Sequence, residues 1–547
     1  MNRFKRGSWI PESLNTQQYQ SVLEVFEQAC KKYPNKPAYS SFGHSMSFSE
    51  LDCFADAFAV YLQTQTDLQP GDRIAIQLPN ILQYPVTLFG AMRAGLIIVN
   101  TNPLYTPREL EHQFNDAQVK ALVVFEGVAH AVEKIIEKTS IEYVFTTNLA
   151  DLHNTFKRSL INLVVKHVKK LIPSFSLPSA KKLRPAIISC LGQKPRVIRK
   201  QAEDIVVLQY TGGTTGVSRG VKLSHANLVS NMLQAAEVIS EAPSGWNNIV
   251  VAPLPLYHIY AFTVSLIVME SGGQSVLIAN PRDTKGFVKE LSKLKFSSFL
   301  GLNTLFVALC KEKSFRALDF SAFCITISGG MALTKDCAQL WQSNTGTQIM
   351  EGYGLTETSP IVAVNPVNAI KIGSIGFPVK ETKVRIIDEQ GQNVTVGEAG
   401  ELCVCGPQVM QGYWNEEGET EAVFTEDGYF KTGDIAVSDA TGRLSIVDRA
   451  KDLIIVSGFN VYPNEVEDVA SSHPDVQECA AIGIKHQTTG ERVKLFVVST
   501  NASLQEQQLR DFCREHLASY KVPKEVEFVD ELPKSNVGKV LRRMLRE

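Results

Sequence analysis

Short β-rich apolar runs alternate with helical patterns along most of this chain, and that rhythm constrains its fold more than any other feature. Between about Gln20 and Val128, helical stretches such as "SVLEVFEQACKKY" alternate with "RIAIQL", "LIIVN" and "ALVVF". The rhythm resumes after residue 200 with "DIVVLQY", "NIVVAPL", "SVLIAN" and "FCITISGG", each followed by a loop and a helical pattern. Compact apolar runs bounded by turn residues read as strands. Alternation with helices then predicts an α/β fold of parallel or mixed sheets covered by helices.

At 547 residues the chain exceeds what one hydrophobic core supports, so at least two domains are expected. The texture changes after about residue 370. "KVRIIDEQGQNVTVGEAGELCVCG" reads as short strands separated by Gly and Asn turns, a small β-rich subdomain. A compact α+β piece follows "GRLSIVDRAKD", which divides the chain into units 1–448 and 449–547.

Hydrophobic residues make up 44% and charged residues 20%, and the net charge of -2 gives no global reason to expect a nucleic-acid partner. The ten cysteines show no metal-ligand spacing and read as free thiols of a reducing compartment. "MNRFKRGSWIPESLN" lacks the apolar centre of a secretory signal, and "YPVTLFGAMRAGLIIVN" is broken by Pro85 and Arg93, so a cytoplasmic chain without a membrane span is expected. In residues 156–185, Lys and Arg interleave with Leu, Val, Ile and Phe. Two readings stand: a peripheral contact with the inner face of a membrane, or a helix packing its apolar side on the protein with its basic face in water. The second is the default. Oligomeric state is left open, a homodimer included.

"QYTGGTTGVSRGVKLSH", Gln209 to His225, follows an apolar run and combines glycines with Thr211, Thr214 and Thr215, and with the cations Arg219 and Lys222. Gly212, Gly213 and Gly216 allow the backbone close to a ligand, and successive N–H groups suit a polyphosphate. The alternative is a tight strand-to-helix turn. Neither GxxxxGK[ST] nor GxGxxG is present.

The stretch resembles the phosphate-binding signature of the adenylate-forming superfamily: acyl-CoA synthetases, peptide-synthetase adenylation domains and beetle luciferases. "PLPLYHIYA", "GYGLTETSP", "YFKTGDIA", "GRLSIVDRAKDLIIVSGFNVYPNEVE" and "PKSNVGKVLRR" follow in the family's order. The likeness spans essentially the whole chain and is closest to bacterial long-chain fatty-acid-CoA ligases, through "NPLYTPRELEHQ", "NPRD", "GYW" and "VSGFNVYPNE".

That resemblance implies ATP-dependent joining of a long-chain fatty acid to coenzyme A through an acyl-adenylate, with Mg2+, and a small mobile α+β domain at the C-terminus. It assigns ATP and AMP contacts to Tyr210, Thr211, Gly212, Gly213, Thr214, Thr215, Gly216, Arg219 and Gly220 in the loop, and to Ser328, Gly329 and Gly330 in "SGG". Tyr353 and Gly354 join them, with Thr356 on phosphate and Glu357 on the metal, a task that suits a hard carboxylate oxygen. Asp434 is implied to hold the ribose hydroxyls, with Arg449 as its partner. Lys539 is implied to bridge the fatty carboxylate and the α-phosphate as catalytic cation, Lys451 to be the hinge, and His258 and Gly458 to lie by the acyl and coenzyme A channel. A core histidine is the alternative for His258. Arg219 stands where the family usually has Lys, and its planar fork alters how phosphate is held. Two other readings remain: a ligase for medium-chain or aromatic acids or a carrier-protein acceptor, and a membrane-associated fatty-acid-binding or uptake factor.

Overall fold

The structure, a computed structural model, describes residues 18–211, 218–246, 248–457, 459–486, 488–535 and 539–546. All seven runs read as strands form strands. A seven-stranded sheet is ordered Lys181–Lys182, Tyr143–Thr147, Val119–Phe125, Arg73–Gln77, Ile97–Asn100, Ile205–Thr211 and Arg219–Ser224. Every pair is parallel except the last.

In a nine-stranded sheet, Ile349–Gly354, Ile325–Gly329, Ser298–Gly301, Ile249–Ala252, Gln274–Leu277 and Pro37–Ser41 run parallel. Antiparallel strands close both edges. Helices His225–Val238 and Ile259–Glu270 pack with both sheets in one core, which joins Ile76 and Val207 of the first sheet to Val250 and Met350 of the second.

The sequence departs from simple strand–loop–helix order at the glycine-rich loop. Residues 211 and 219 are cross-strand partners of an antiparallel pair, so the loop joins two strands rather than a strand and a helix. The second strand is mostly buried: Val221 and Leu223 are fully covered and only Arg219 and Lys222 are part-exposed.

Past residue 380 the expected β-rich piece is a four-stranded antiparallel sheet, Lys383–Ile387, Gly400–Cys405, Phe430–Ser438 and Leu444–Arg449. The C-terminal sheet begins at Ile454 and is built on the hairpin Val476–His486/Gly490–Ser499. Its core, from Ile454 to Val522, shares no residue with the cores before it. Only the short helical turn Ala450–Asp452 separates the two sheets.

Among the described residues no helix is long and apolar enough to cross a membrane, and "YPVTLFGAMRAGLIIVN" resolves into helix Gln83–Arg93, a turn at Gly95 and strand Ile97–Asn100. The ten cysteines are free. The basic stretch forms helix Thr155–Leu163 and the turn Val164–Val168. It packs inward through Ile161 and Val165, as the default reading holds, but its outward face is not only basic: Phe156, Leu160 and Leu163 are exposed.

Candidate active site

The best-defined part of the site lies where two strands cross-pair. Asp434 and Arg449 are partners in adjacent antiparallel strands. The Asp434 carboxylate is buried, 2.7 Å from Arg449 Nε, and accepts the Tyr353 hydroxyl at 2.5 Å. Burial pushes the Asp434 carboxyl up and Arg449 opposes that rise. With 4% exposure for Asp434 and 30% for Arg449, the pair is not a solvated surface ion pair.

Tyr353 reaches Asp434 because its strand, Ile349–Gly354, ends beside the four-stranded sheet, where Tyr353 packs on that sheet's core. Gly354 is fixed by contact: a Cβ there would sit 1.8 Å from the Pro360 carbonyl oxygen. The neighbouring strand delivers Ser328, buried, and Gly329 opposite Gly352, and then turns at Gly330 with φ +83°. Thr356 and Glu357 follow in a short helical turn.

Glu357 is half-buried, and burial raises its carboxyl. It accepts the Tyr413 hydroxyl at 3.0 Å, and the Arg219 guanidinium lies 5.8 Å from the Tyr413 ring centre. Arg219 also pairs with Glu419 at 2.9 Å. Tyr413 therefore links the cation at the foot of the glycine-rich loop to the carboxylate of "GYGLTET". Trp414 N–H donates to Gly220 O at 2.7 Å and holds the hairpin against this segment.

Thr211 ends its strand at the mouth of the loop. Tyr210 faces away from the site: its ring is buried against Gly220 and its hydroxyl donates to Asp116, so its side chain serves the fold. Gly212, Gly213, Thr214, Thr215, Gly216 and Gly458 lie outside the described residues.

Lys539 comes from the C-terminal unit and stands in the same cleft. Its side chain reaches water, yet protein crowds it on most sides, and its ammonium is pushed down to about 8. That crowding is the main cause; Arg449 and Arg542 repel it further, while Asp434 and Asp452 oppose them. His258, which begins the helix Ile259–Glu270 and accepts Tyr260 N–H on Nδ1 at 3.3 Å, is pushed down to about 4 by burial and then by Lys539. His258 is neutral near pH 7 and faces the site. Lys451 sits in the turn Ala450–Asp452, its ammonium lowered by burial.

Sequence reasoning missed what holds Lys539 there. Arg542, three residues on, is 2.7 Å from Glu467 of the C-terminal unit, 3.4 Å from Asp452 in the turn and 3.6 Å from Asp448 before it. Asp448 is fully buried and accepts Asn464 N–H at 2.7 Å, so one arginine braces both sides of the turn. Glu351 was also missed. Its carboxylate accepts N–H from Leu333 and Gly373, both at 3.2 Å, steadying the chain after "SGG", and burial raises it to about 7. "GYW" and "VLRR" were the only sequence signals for Tyr413 and Arg542.

Tyr353, Glu357, Asp434, Arg449, His258 and Lys539, far apart in sequence, thus lie close enough to act on one another. Residues 26–414 match the model of the AMP-binding enzyme family, and residues 465–539 match that of the AMP-binding enzyme C-terminal domain. The chain belongs to the AMP-binding enzyme family. It is similar to a long-chain-fatty-acid–CoA ligase of Salmonella typhimurium, at 49% identity over 100% of this chain and 97% of that one. An Escherichia coli O157:H7 protein of the same name is 48% identical over 100% and 97%. Among solved structures, ATP-bound MatB from Rhodopseudomonas palustris superposes with a TM-score of 0.83 at 28% identity, over 96% of this chain and 98% of that one. The apo form of the same protein gives 0.74 at the same coverage.

Proposed function

We propose that this enzyme converts long-chain fatty acids to acyl-CoA in two steps, using ATP, passing through an acyl-adenylate and releasing AMP and pyrophosphate. The observation that carries the reading is the convergence of Lys539 with Asp434, Arg449 and His258, across two separately cored units. Relatives 49% and 48% identical, named as ligases of long-chain fatty acids, support the substrate class.

A carboxylate resists nucleophilic attack until its oxygen becomes a leaving group, and joining it to ATP requires two anions to meet. In the first step Asp434, with Arg449 and Tyr353 beside it, takes the ribose hydroxyls. Thr211, Gly212, Gly213, Thr214, Thr215, Gly216, Arg219, Gly220 and Thr356 surround the phosphates, and Ser328, Gly329, Gly330 and Gly354 the adenine and acyl-phosphate. Lys539 sits between the fatty carboxylate and the α-phosphate, where the carboxylate oxygen forms the new P–O bond and pyrophosphate leaves. A preorganised cation at the point where charge develops is worth roughly 100- to 1,000-fold in rate.

Among the described residues no group of three or more acidic, His or Cys side chains forms a metal cage. A lone half-buried carboxylate whose acidity burial weakens suits Mg2+, which is typically held by one or two carboxylates and substrate phosphates. Glu357 would hold that ion, which when bound offsets phosphate charge.

In the second step the units 1–448 and 449–547 turn about Lys451, withdrawing Lys539 and bringing the segment around Gly458 to the thiol of coenzyme A. The thiol sulfur attacks the acyl carbonyl and AMP leaves. His258, neutral, lines the route. The chain of the acid runs along helix Ile259–Glu270. Each methylene buried is worth at most ~0.8 kcal/mol, so eight extra carbons contribute about 6 kcal/mol to selectivity before losses.

The test is ATP-to-AMP turnover over fatty acids of graded length, with and without coenzyme A. Turnover that needs the acid, rises with chain length and yields thioester fits the proposal. Fatty-acid binding without ATP turnover, or a preference for aromatic acids, contradicts it.

A further inference from the structure

Four buried polar side chains on the side of the seven-stranded sheet, Asn80, Tyr84, Asn100 and Gln209, converge on one loop of the nine-stranded sheet. That loop, residues 253–258, joins strand Ile249–Ala252 to helix Ile259–Glu270 and ends at His258. Asn80 Nδ2 donates to Ala252 O at 3.0 Å and to Leu254 O at 2.8 Å, and its Oδ1 accepts Leu256 N–H at 2.9 Å, so the whole amide is committed to this segment. The Tyr84 hydroxyl lies 2.9 Å from Leu256 O and 2.7 Å from Asn100 Oδ1. Asn100 Nδ2 donates to Gln209 Oε1 at 3.0 Å, and Gln209 Nε2 donates to Tyr257 O at 3.0 Å. Asn100 and Gln209 are register partners in neighbouring parallel strands, and Gln209 stands two residues before Thr211, where its strand opens into the glycine-rich loop. Pro253 and Pro255 have no N–H, so the loop cannot build a ladder of its own, and its buried carbonyls need donors from elsewhere. These side-chain donors all come from the other sheet and its crossover into helix Gln83–Arg93.

We propose that Asn80, Tyr84, Asn100 and Gln209 are positioning residues for the acid: by fixing loop 253–258 they place His258 and the start of helix Ile259–Glu270 against the strand that enters the glycine-rich loop, and so set how the fatty carboxylate meets the nucleotide. The proposal rests on the reading of His258 and that helix as the acyl side of the site. Asn80 and Tyr84 grip the loop directly. Gln209 belongs to both halves, since its amide holds Tyr257 O, one residue before His258, while its backbone continues into Thr211. A shift of about 1 Å at a substrate-positioning group far from the reacting atoms can cost two orders of magnitude in rate, so a loop pinned at four carbonyls is a means of holding the acid to its geometry.

Pyrophosphate release by the full chain, with KM measured separately for palmitate and for ATP, tests it. Tyr84→Phe keeps the ring and removes one hydroxyl; its KM for palmitate should rise about fivefold, the effect of one lost neutral hydrogen bond, while its KM for ATP stays within about twofold of wild type. Gln209→Met, close to the original in length, leaves Asn100 Nδ2 and Tyr257 O without this partner and should raise both constants, that for palmitate by about fivefold or more. In the double variant the rise in palmitate KM should fall short of the product of the single effects, because both residues act through one loop. Three results would each overturn the proposal: a Tyr84→Phe enzyme whose kcat and melting temperature fall with palmitate KM unchanged, one whose two KM values rise together, or single effects that multiply in the double variant. A wild type that releases no pyrophosphate with any fatty acid would instead overturn the reading of the reaction, and this proposal with it.

Discussion

The pH dependence of adenylation gives a sharp test of Lys539. Its ammonium is pushed down to about 8 in the free enzyme, by crowding first and by Arg449 next. The form that can hold two anions together is the protonated one. The sign follows: the group is charged below its pKa and loses the proton as pH rises through about 8, so kcat/KM for acyl-AMP formation falls there. One unit higher, about one tenth of the enzyme keeps the ammonium, and kcat/KM should drop about tenfold. Bound phosphates favour the charged form, so kcat should fall only at higher pH. Pyrophosphate release without coenzyme A, followed over that range, is the assay. Lys539→Arg, whose guanidinium stays charged, should lose rate by misfit but show no limb near 8. His258, pushed down to about 4, should add no inflection near the ordinary histidine value. A wild-type profile that stays flat to about two units above that point would refute the assignment.

Gly354→Ala should abolish adenylation and lower the melting temperature, because the new Cβ would lie 1.8 Å from the Pro360 carbonyl and the backbone that carries Tyr353 has to move. Arg542→Ala leaves Glu467 and the fully buried Asp448 without their cation, so thermal or denaturant unfolding should report a loss of about 3–5 kcal/mol. It should also impair acyl-AMP formation more than thioester formation from supplied acyl-AMP, since Lys539 loses its brace. Lys451→Pro should spare pyrophosphate release and slow thioester formation, because a fixed φ restricts the turn about which the units move.

The parallel strands were legible because their side chains carry local patterns: seven apolar runs became seven strands, and the change of texture near residue 370 became a new sheet. The cleft was legible through motifs, each of which supplies its own residue. What joins the motifs was not. Arg542 meets Asp448, Asp452 and Glu467, and Arg219 meets Tyr413, across separations in sequence that no periodicity spans. The strand after the glycine-rich loop was missed because "RGVKLS" carries only two apolar side chains, Val221 and Leu223, too few to mark a strand. In the basic segment the apolar spacing identified a helix but not which side faces inward, since Ile161 and Val165 on one side and Phe156, Leu160 and Leu163 on the other are both apolar rows. Tyr210 shows the converse: a residue within a binding motif whose side chain is held by Asp116 and Gly220.

The central claim is that one chain performs two reactions with different residues, Lys539 serving only the first. Lys539→Ala assayed in separate half-reactions tests it most directly, with acyl-AMP formation from a long-chain fatty acid and ATP measured beside conversion of supplied acyl-AMP to acyl-CoA. The account predicts a loss of roughly 100-fold or more in the first and near wild-type rate in the second. Equal loss in both half-reactions, or none in the first, would contradict it.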